Sequence, residues 1–278
     1  TLMSDLFNSQ AADASVSGVL SPGLTELSDL LRGWRGPKPL LVCSGGTTSR
    51  CASKGHWTLD LRPGFASMLA DPAKSSIRIG AGCRMGDVLD HLASHALTLP
   101  GGLSGLPGLG YILTGGIGPL ARTDGLAIDR LLQISGVWGS GEPFVLDRSD
   151  HSHWRAMCGA APFLGVVTEV RMATSPLRPL WIEQGSMPAD DLPKRMARAE
   201  CSPDGESLQW HWAEDEQLRW LHVAQQPAAT AVPIAGLHQL PTLSAASPGN
   251  ERLHGEVIGL LGPAAATGWK DVMPALSA

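Results

Sequence analysis

An α+β protein built as two successive units is the fold that the sequence predicts, and three observations predict it. Short apolar runs of strand length alternate with amphipathic helices through the first part of the chain. Between them lie glycine-rich segments threaded with leucine and isoleucine, where a solvated linker would carry serine, glutamine or charge. Pro176 and Pro179 then punctuate the chain before the pattern of helix and strand resumes, which divides it into 1–175 and 176–278. At 278 residues each part is long enough to bury a core of its own.

Taken in order, Ser21 and Pro22 make a helix start, and Leu24, Leu27, Leu30, Leu31 and Trp34 recur on one face until Gly36 and Pro37 stop the run. Residues 39–42 and 57–61 are apolar strand runs, and 76–81 alternates with Ile77, Ile79 and Ala81 on one side. These three strands are expected around the loop 43–55. Met85, Val88, Leu89, Leu92 and Ala96 have helical spacing, which predicts a helix over 84–96 laid across a sheet. The stretch 100–118 follows as a buried, shaped loop. Beyond it, 131–138 and 143–146 read as a hairpin turning at Gly139, Ser140 and Gly141, with a short helix over 151–158 and a β-branched strand over 165–172. In the second part 181–187, 208–212 and 218–223 read as extended and 190–200 as helical, the start of a second layer. Residues 226–250, rich in Pro, Ala and Ser, read as a long surface loop.

Composition removes several partners. A net charge of -5 with no long run of one sign leaves no electrostatic footprint for nucleic acid or an anionic membrane surface. No apolar stretch approaches the length of a membrane span, and no export signal is visible. The cysteines at 43, 51, 83, 158 and 201 are scattered without a CxxC pair and read as reduced thiols of a cytoplasmic protein. His151 and His153 stand without carboxylates at ligand spacing, so no metal site is expected. The first residue is Thr, and the chain ends at Leu276, Ser277 and Ala278 soon after a helical start, so both ends read as artificial.

Two loops carry the chemistry. Directly after the strand 39–42 come Ser44, Gly45, Gly46, Thr47, Thr48 and Ser49. Glycines let successive backbone N–H groups converge on one point and small hydroxyls add donors, an arrangement suited to phosphate. A tight strand connection is the other reading of this loop. The second is 100–118, with Pro100, Gly101, Gly102, Gly108, Gly115, Gly116 and Gly118, continuing through Arg122, Gly125 and Asp129. A flat aromatic ligand needs backbone approaching it closely, which glycine permits; a glycine-rich packing loop is the alternative. No GxGxxG, GxxxxGK[ST] or GxSxG pattern occurs, which removes the Rossmann fingerprint, the common triphosphate loop and the serine-hydrolase elbow.

In that order the blocks resemble the FAD-binding, PCMH-type domain of the vanillyl-alcohol oxidase and para-cresol methylhydroxylase superfamily, in particular its berberine-bridge-enzyme-like branch. The family's RxGGHS-type loop corresponds to Cys43 through Thr48, and its IDL strand to Leu59, Asp60 and Leu61. Its PGG…GGxGxxxRxxGLxxD segment corresponds to Pro100 through Gly118 and on to Arg122, Gly125, Leu126 and Asp129. Its WAxxGG…FGVVTE stretch corresponds to Trp154, Arg155 and Ala156, then Phe163 through Glu169.

The resemblance implies a two-subdomain FAD-binding domain, followed by an incomplete substrate domain with an antiparallel sheet. It implies that 44–48 binds the pyrophosphate through backbone amides, that 100–118 lies against the flavin, and that the backbone near Val166 meets the adenine end. Where covalent members carry a flavin-attaching His this chain has Thr47, and near their second attachment Cys it has Leu103 and Ser104, so FAD is expected to bind noncovalently. Gly159, Ala160, Ala161 and Pro162 depart from the more glycine-rich stretch of the family. The activity implied is oxidation of a small hydroxylated organic substrate by hydride transfer to flavin N5, with oxygen or another electron acceptor reoxidising the flavin. Family members continue past residue 278, so the chain reads as a fragment of a longer oxidoreductase or as a shortened flavin-binding protein without turnover. A reductase of the same superfamily that uses a nicotinamide donor fits these blocks less well. Tyr111 is the single tyrosine, and no catalytic residue, substrate or oligomeric state is assigned. Valine at both Gly45 and Gly46 is expected to abolish FAD binding by filling the pyrophosphate space.

Overall fold

The computed structural model describes residues 16–47, 51–101, 104–203, 205–212 and 217–241. Among these, one compact unit holds 16–118 and 126–177, and a second holds 119–125 and 178–241.

The first unit opens with β1 (Gly18–Leu20) and α1 (Leu24–Gly33). Glu26 Oε2 accepts the Gly23 N–H at 2.9 Å, satisfying a donor that the helix start would leave orphaned. Of the expected apolar face only Leu27 is fully buried, while Leu30, Leu31 and Trp34 are half-buried and Leu24 is exposed. Then come β2 (Leu41–Cys43) and β3 (Trp57–Asp60), which form a parallel sheet in the order β1-β3-β2. Its middle strand buries Thr58, Leu59 and Asp60.

A second sheet uses β4 (Met68–Asp71) and β5 (Ser76–Gly80), followed by α2 (Met85–Ala93), the short β6 (Leu97–Thr98) and α3 (Leu109–Leu113). After α4 (Ala121–Asp124), which belongs to the other unit, the chain returns with β7 (Leu131–Trp138) and β8 (Pro143–Leu146). Then come α5 (His151–Leu164), β9 (Gly165–Ala173) and β10 (Ser175–Pro176). The five strands run antiparallel in the order β4-β5-β9-β7-β8, and β10 pairs with β6. Ile77, Ile79, Ile134, Val137, Val170 and Met172 are buried along this sheet, and α2 buries Met85, Val88, Leu89 and Leu92. Each such side chain contributes about 1.5–3 kcal/mol of burial.

The second unit is built on β11 (Leu180–Pro188), α6 (Leu192–Glu200), β12 (Glu206–Trp212), β13 (Gln217–Ala224) and β14 (Val232–Ile234). Its strands are antiparallel in the order β12-β13-β11-β14. Met187, Leu192 and Leu218 form its core, with Met196, Trp210 and Trp220 packed against them. The Arg195 guanidinium lies 3.2 Å from the centre of the Trp220 ring. Asp124 of α4 pairs with Arg178, Arg122 donates to the Ser202 carbonyl at 3.0 Å, and Gln225 donates to the Thr123 hydroxyl at 2.9 Å.

Several elements differ from the sequence-based expectation. Strand 76–80 pairs with β4 and β9, so it is not in the sheet that flanks the first glycine loop. Within the expected glycine-rich loop, residues 109–113 form helix α3, because Leu109, Ile112 and Leu113 bury one side of a single turn. The helix expected over 151–158 continues to Leu164 across a kink at Cys158 and Gly159, where Gly159 takes a φ of 120° that other residues rarely adopt. Part of the expected surface loop 226–250 adds β14 to the edge of β11; residues 242–250 lie outside the described residues.

Candidate functional site

The two glycine-rich loops meet. Ser44 Oγ donates to the Ala81 carbonyl and accepts the Leu109 N–H at 3.1 Å, so one hydroxyl joins the first loop to two other segments. Thr47 Oγ1 donates to the Leu106 carbonyl at 2.7 Å, and Arg84 Nε donates to the Gly45 carbonyl at 3.2 Å. A Cβ built on Gly45 would stand 2.4 Å from the Gly108 nitrogen, and one built on Gly108 would stand 2.3 Å from the Gly45 nitrogen. Glycine at these two positions is therefore required by backbone-to-backbone contact. That corrects the reason expected for the valine variants: at position 45 the added carbon collides with the second loop before it reaches any ligand.

Gly46 turns through a φ of 74°. Gly45 and Gly46 are buried, yet their amides have no acceptor among the described residues. Buried backbone donors are almost always paired, so two amides of one glycine turn without an acceptor among the described residues make this turn the candidate place for an anionic acceptor. Thr48 lies outside the described residues.

The second loop is fastened on one face and open on the other. Met85 N–H donates to the Pro107 carbonyl and Gly86 N–H to the Gly105 carbonyl, both at 2.8 Å, which ties 105–107 to the start of α2. Pro100 and Gly101 are buried, and a Cβ on Gly118 would overlap the Gly101 carbonyl at 1.7 Å. Gly116, with a φ of 72°, faces Ala127, whose N–H donates to the Gly116 carbonyl at 3.0 Å. Gly102 and Leu103 lie outside the described residues. By contrast a Cβ on Gly110 or Gly115 would meet nothing within 4 Å, and Ile117 is 45% exposed. An open face of bare backbone and one apolar side chain suits a flat ring.

Val166 lies in the central sheet rather than in either loop. It sits in β9 opposite Val137, with its carbonyl against Gly136. The link to the first loop comes two residues later, where the Thr168 carbonyl accepts the Ala81 N–H at 2.9 Å and the Ala81 carbonyl in turn accepts Ser44 Oγ. Arg122 and Gly125, read with the second loop from sequence, belong to the second unit, whereas Asp129 in the first accepts the Leu126 N–H at 3.0 Å.

Sequence reasoning missed Ala81, Arg84 and Leu106, whose contributions are two carbonyls and one guanidinium; a carbonyl has no signature in a sequence, and a lone arginine at a helix start has little. It also missed that Arg62 caps the strand beside the loop, holding Asp60 through Nε at 2.9 Å and a terminal nitrogen at 2.8 Å. Tyr111 is engaged as a tie: its hydroxyl donates to the Ile117 carbonyl at 2.7 Å, and burial pushes its pKa up. Among the described residues no group of His, Cys, Asp or Glu could hold a metal, and no helix is long and apolar enough to cross a membrane. His153 packs beside the Trp138 ring at 5.8 Å.

Comparison with known proteins agrees with this arrangement. Residues 25–147 match the FAD binding domain family. (R)-6-hydroxynicotine oxidase of Paenarthrobacter nicotinovorans is 35% identical over 136 residues, 47% of this chain and 29% of that protein. Among solved structures, xylooligosaccharide oxidase of Myceliophthora thermophila superposes with a TM-score of 0.74 at 15% identity over 89% of this chain and 61% of that one. Berberine bridge enzyme of Eschscholzia californica gives 0.65 at 18% identity over 75% and 46%. These structural likenesses establish a shared mixed helix-and-sheet fold. The aligned stretch takes up between 19% and 40% of the length of the curated relatives.

Proposed function

We propose, from the premise that residues 25–147 are an FAD binding domain, that the chain is the cofactor-holding part of an FAD-dependent oxidoreductase that keeps its flavin by noncovalent contacts. The observation that carries this reading is the pair of buried amides at Gly45 and Gly46, which have no acceptor among the described residues. Those amides, with Ser44, Thr47 and Thr48 around them, would hold the pyrophosphate. Pro100, Gly101, Gly102, Gly108, Gly115, Gly116 and Gly118 would build the second wall, and β9 near Val166 would meet the adenine end.

Noncovalent binding follows from the side chains at the two attachment positions. Thr47 spends its hydroxyl on the Leu106 carbonyl, and neither Leu103 nor Ser104 offers a thiolate. Once bound, the flavin supplies a two-electron acceptor at N5. The protein's part is to hold it in place with backbone donors and to leave the open face at Gly110, Gly115 and Ile117 for the ring. The substrate is read as a small hydroxylated organic molecule, and the electron acceptor as oxygen or another small oxidant.

Flavin binding without turnover is the second reading, and one observation favours it: the single tyrosine already donates its proton within the loop. Anaerobic substrate reduction of the bound flavin separates the two. The first experiment is the visible spectrum of the protein with FAD added, before and after acid precipitation. Flavin bands that follow the supernatant are expected. Bands that stay with the precipitate would overturn the noncovalent reading, and a colourless protein that takes up no FAD would overturn the cofactor reading.

A further inference from the structure

The first glycine loop is bracketed by cysteines. Cys43 is the last residue of β2 and Cys51 follows the loop on its far side, so the residues between them are those read as the pyrophosphate cradle. Both side chains are buried, at 1% and 3% exposure, and they pack together with Val16 and Ala52 in one small cluster. The loop ends are held close by the surrounding backbone. Thr58 Oγ1 donates to the Cys51 carbonyl at 2.6 Å, and Thr58 lies two residues before Asp60, the register partner of Cys43. In addition, the Leu61 N–H donates to the Cys43 carbonyl at 3.0 Å.

We propose that Cys43 and Cys51 are an oxidisable dithiol whose disulfide closes the cofactor loop into a covalent ring. The proposal rests on the reading of residues 44–48 as the FAD pyrophosphate loop. Neither cysteine is in a disulfide in the structure, but both side chains pack in one small buried cluster, so a sulfur–sulfur bond of about 2.05 Å would join groups that are already neighbours. Their environments also differ in the way that thiol chemistry needs. The neighbouring Cys51, together with burial, pushes the Cys43 thiol up, while Cys43, the backbone and Arg62 draw Cys51 down.

Hydrogen peroxide is a sufficient oxidant, and the step balances. The Cys51 thiolate attacks one peroxide oxygen, giving a sulfenic acid and hydroxide, and the sulfur loses two electrons. The Cys43 thiol then attacks that sulfur, the S–S bond forms and water leaves, so two thiols and one peroxide give a disulfide and two waters. Burial of both sulfurs makes the pair slow to react. A cofactor bound on the loop is expected to slow access of peroxide further.

The test is made on the full chain carrying Cys201→Ser, because Cys201 is exposed and would cross-link separate molecules. Hydrogen peroxide is added in the presence and absence of FAD, and the protein is alkylated and cut with trypsin. Cleavage after Arg50 puts the two cysteines on different peptides, so the disulfide appears as the short peptide 51–54 attached to the peptide ending at Arg50, lighter by two hydrogens than the pair. The expected result is that linked species, formed faster without FAD and absent from Cys51→Ser. Release of FAD from the oxidised protein should be at least about threefold slower, since the ring arrives pre-organised. Alkylation of both residues after peroxide, linkage to another cysteine, or an unchanged FAD release rate would each overturn the proposal. A protein that takes up no FAD at all would instead count against the cofactor reading, while the linked peptide still decides the dithiol.

Discussion

Gly45 and Gly108, far apart in sequence, touch through bare backbone, and neither can carry a side chain without displacing the other. Around them Ser44 and Thr47 add two further bonds between the same segments, and Arg84 ties the Gly45 carbonyl to the start of α2. The candidate site is thus a junction of two loops, and its integrity can be tested independently of any ligand.

Alanine at position 108 is expected to destabilise the protein by about 1–3 kcal/mol, because overpacking here is against backbone that cannot rotate away. FAD retention should fall with it. Alanine at Gly110 is the control for stability without FAD: its Cβ meets no protein atom within 4 Å and it sits inside α3, so stability of the FAD-free protein should hold or rise by up to about 1 kcal/mol. Thermal melts of the two variants without FAD check this, and equal losses in both would refute it.

Replacing Thr47 by valine removes the donor to the Leu106 carbonyl at a nearly constant volume. A loss of about 1 kcal/mol is expected, with Thr47→Ser recovering most of it. Denaturant unfolding of the three proteins gives the comparison; a serine variant as weak as valine would mean that the hydroxyl is not the group that matters.

Asp147 accepts from both the N–H and the hydroxyl of Ser149, at 2.8 and 2.6 Å, and these bonds hold its carboxyl below the usual value of 3.8. A folded-state pKa below the unfolded one contributes stability that is present above the unfolded value and is lost as pH falls through the folded one. Asp147→Asn should therefore melt lower than the parent at pH 7, and the gap should close in strong acid. Melting points recorded from neutral pH down to about pH 2 would detect this, and a gap that widened in acid would contradict the assignment.

In the second unit, Arg195 over Trp220 should be worth about 0.5–2 kcal/mol, because desolvation of the guanidinium strengthens its attraction to the ring. Arg195→Met keeps the apolar stem and removes the charge. It is expected to destabilise that unit and to shift tryptophan emission. Unaltered emission with unaltered unfolding would show the contact to be incidental.

What the sequence made legible was local. The strand before Ser44, the helix starting near Gly23 and the hairpin at Gly141 are set by residues next to one another, and each lies close to where the pattern puts it. What it hid was pairing between distant segments. Nothing at Gly45 announces Gly108, since glycine carries no information about its neighbour. The short α3 was hidden because Gly110 and Gly108 argue against a helix, and burial of Leu109, Ile112 and Leu113 outweighs that preference. Val232, Pro233 and Ile234 were hidden for the opposite reason: a three-residue strand in a proline-rich stretch exists only because β11 offers it an edge.

The order β4-β5-β9-β7-β8 has a consequence for how the chain is made. β9 is the last of the five strands to leave the ribosome, yet it lies at the centre, joining two hairpins that have no other connection in the sheet. Until residue 173 has emerged, β5 and β7 each present a row of unsatisfied backbone groups to any other strand that passes. A piece of this protein that extends past β8 but stops before β9 would carry two sticky hairpins and is expected to aggregate during synthesis, whatever its affinity for FAD.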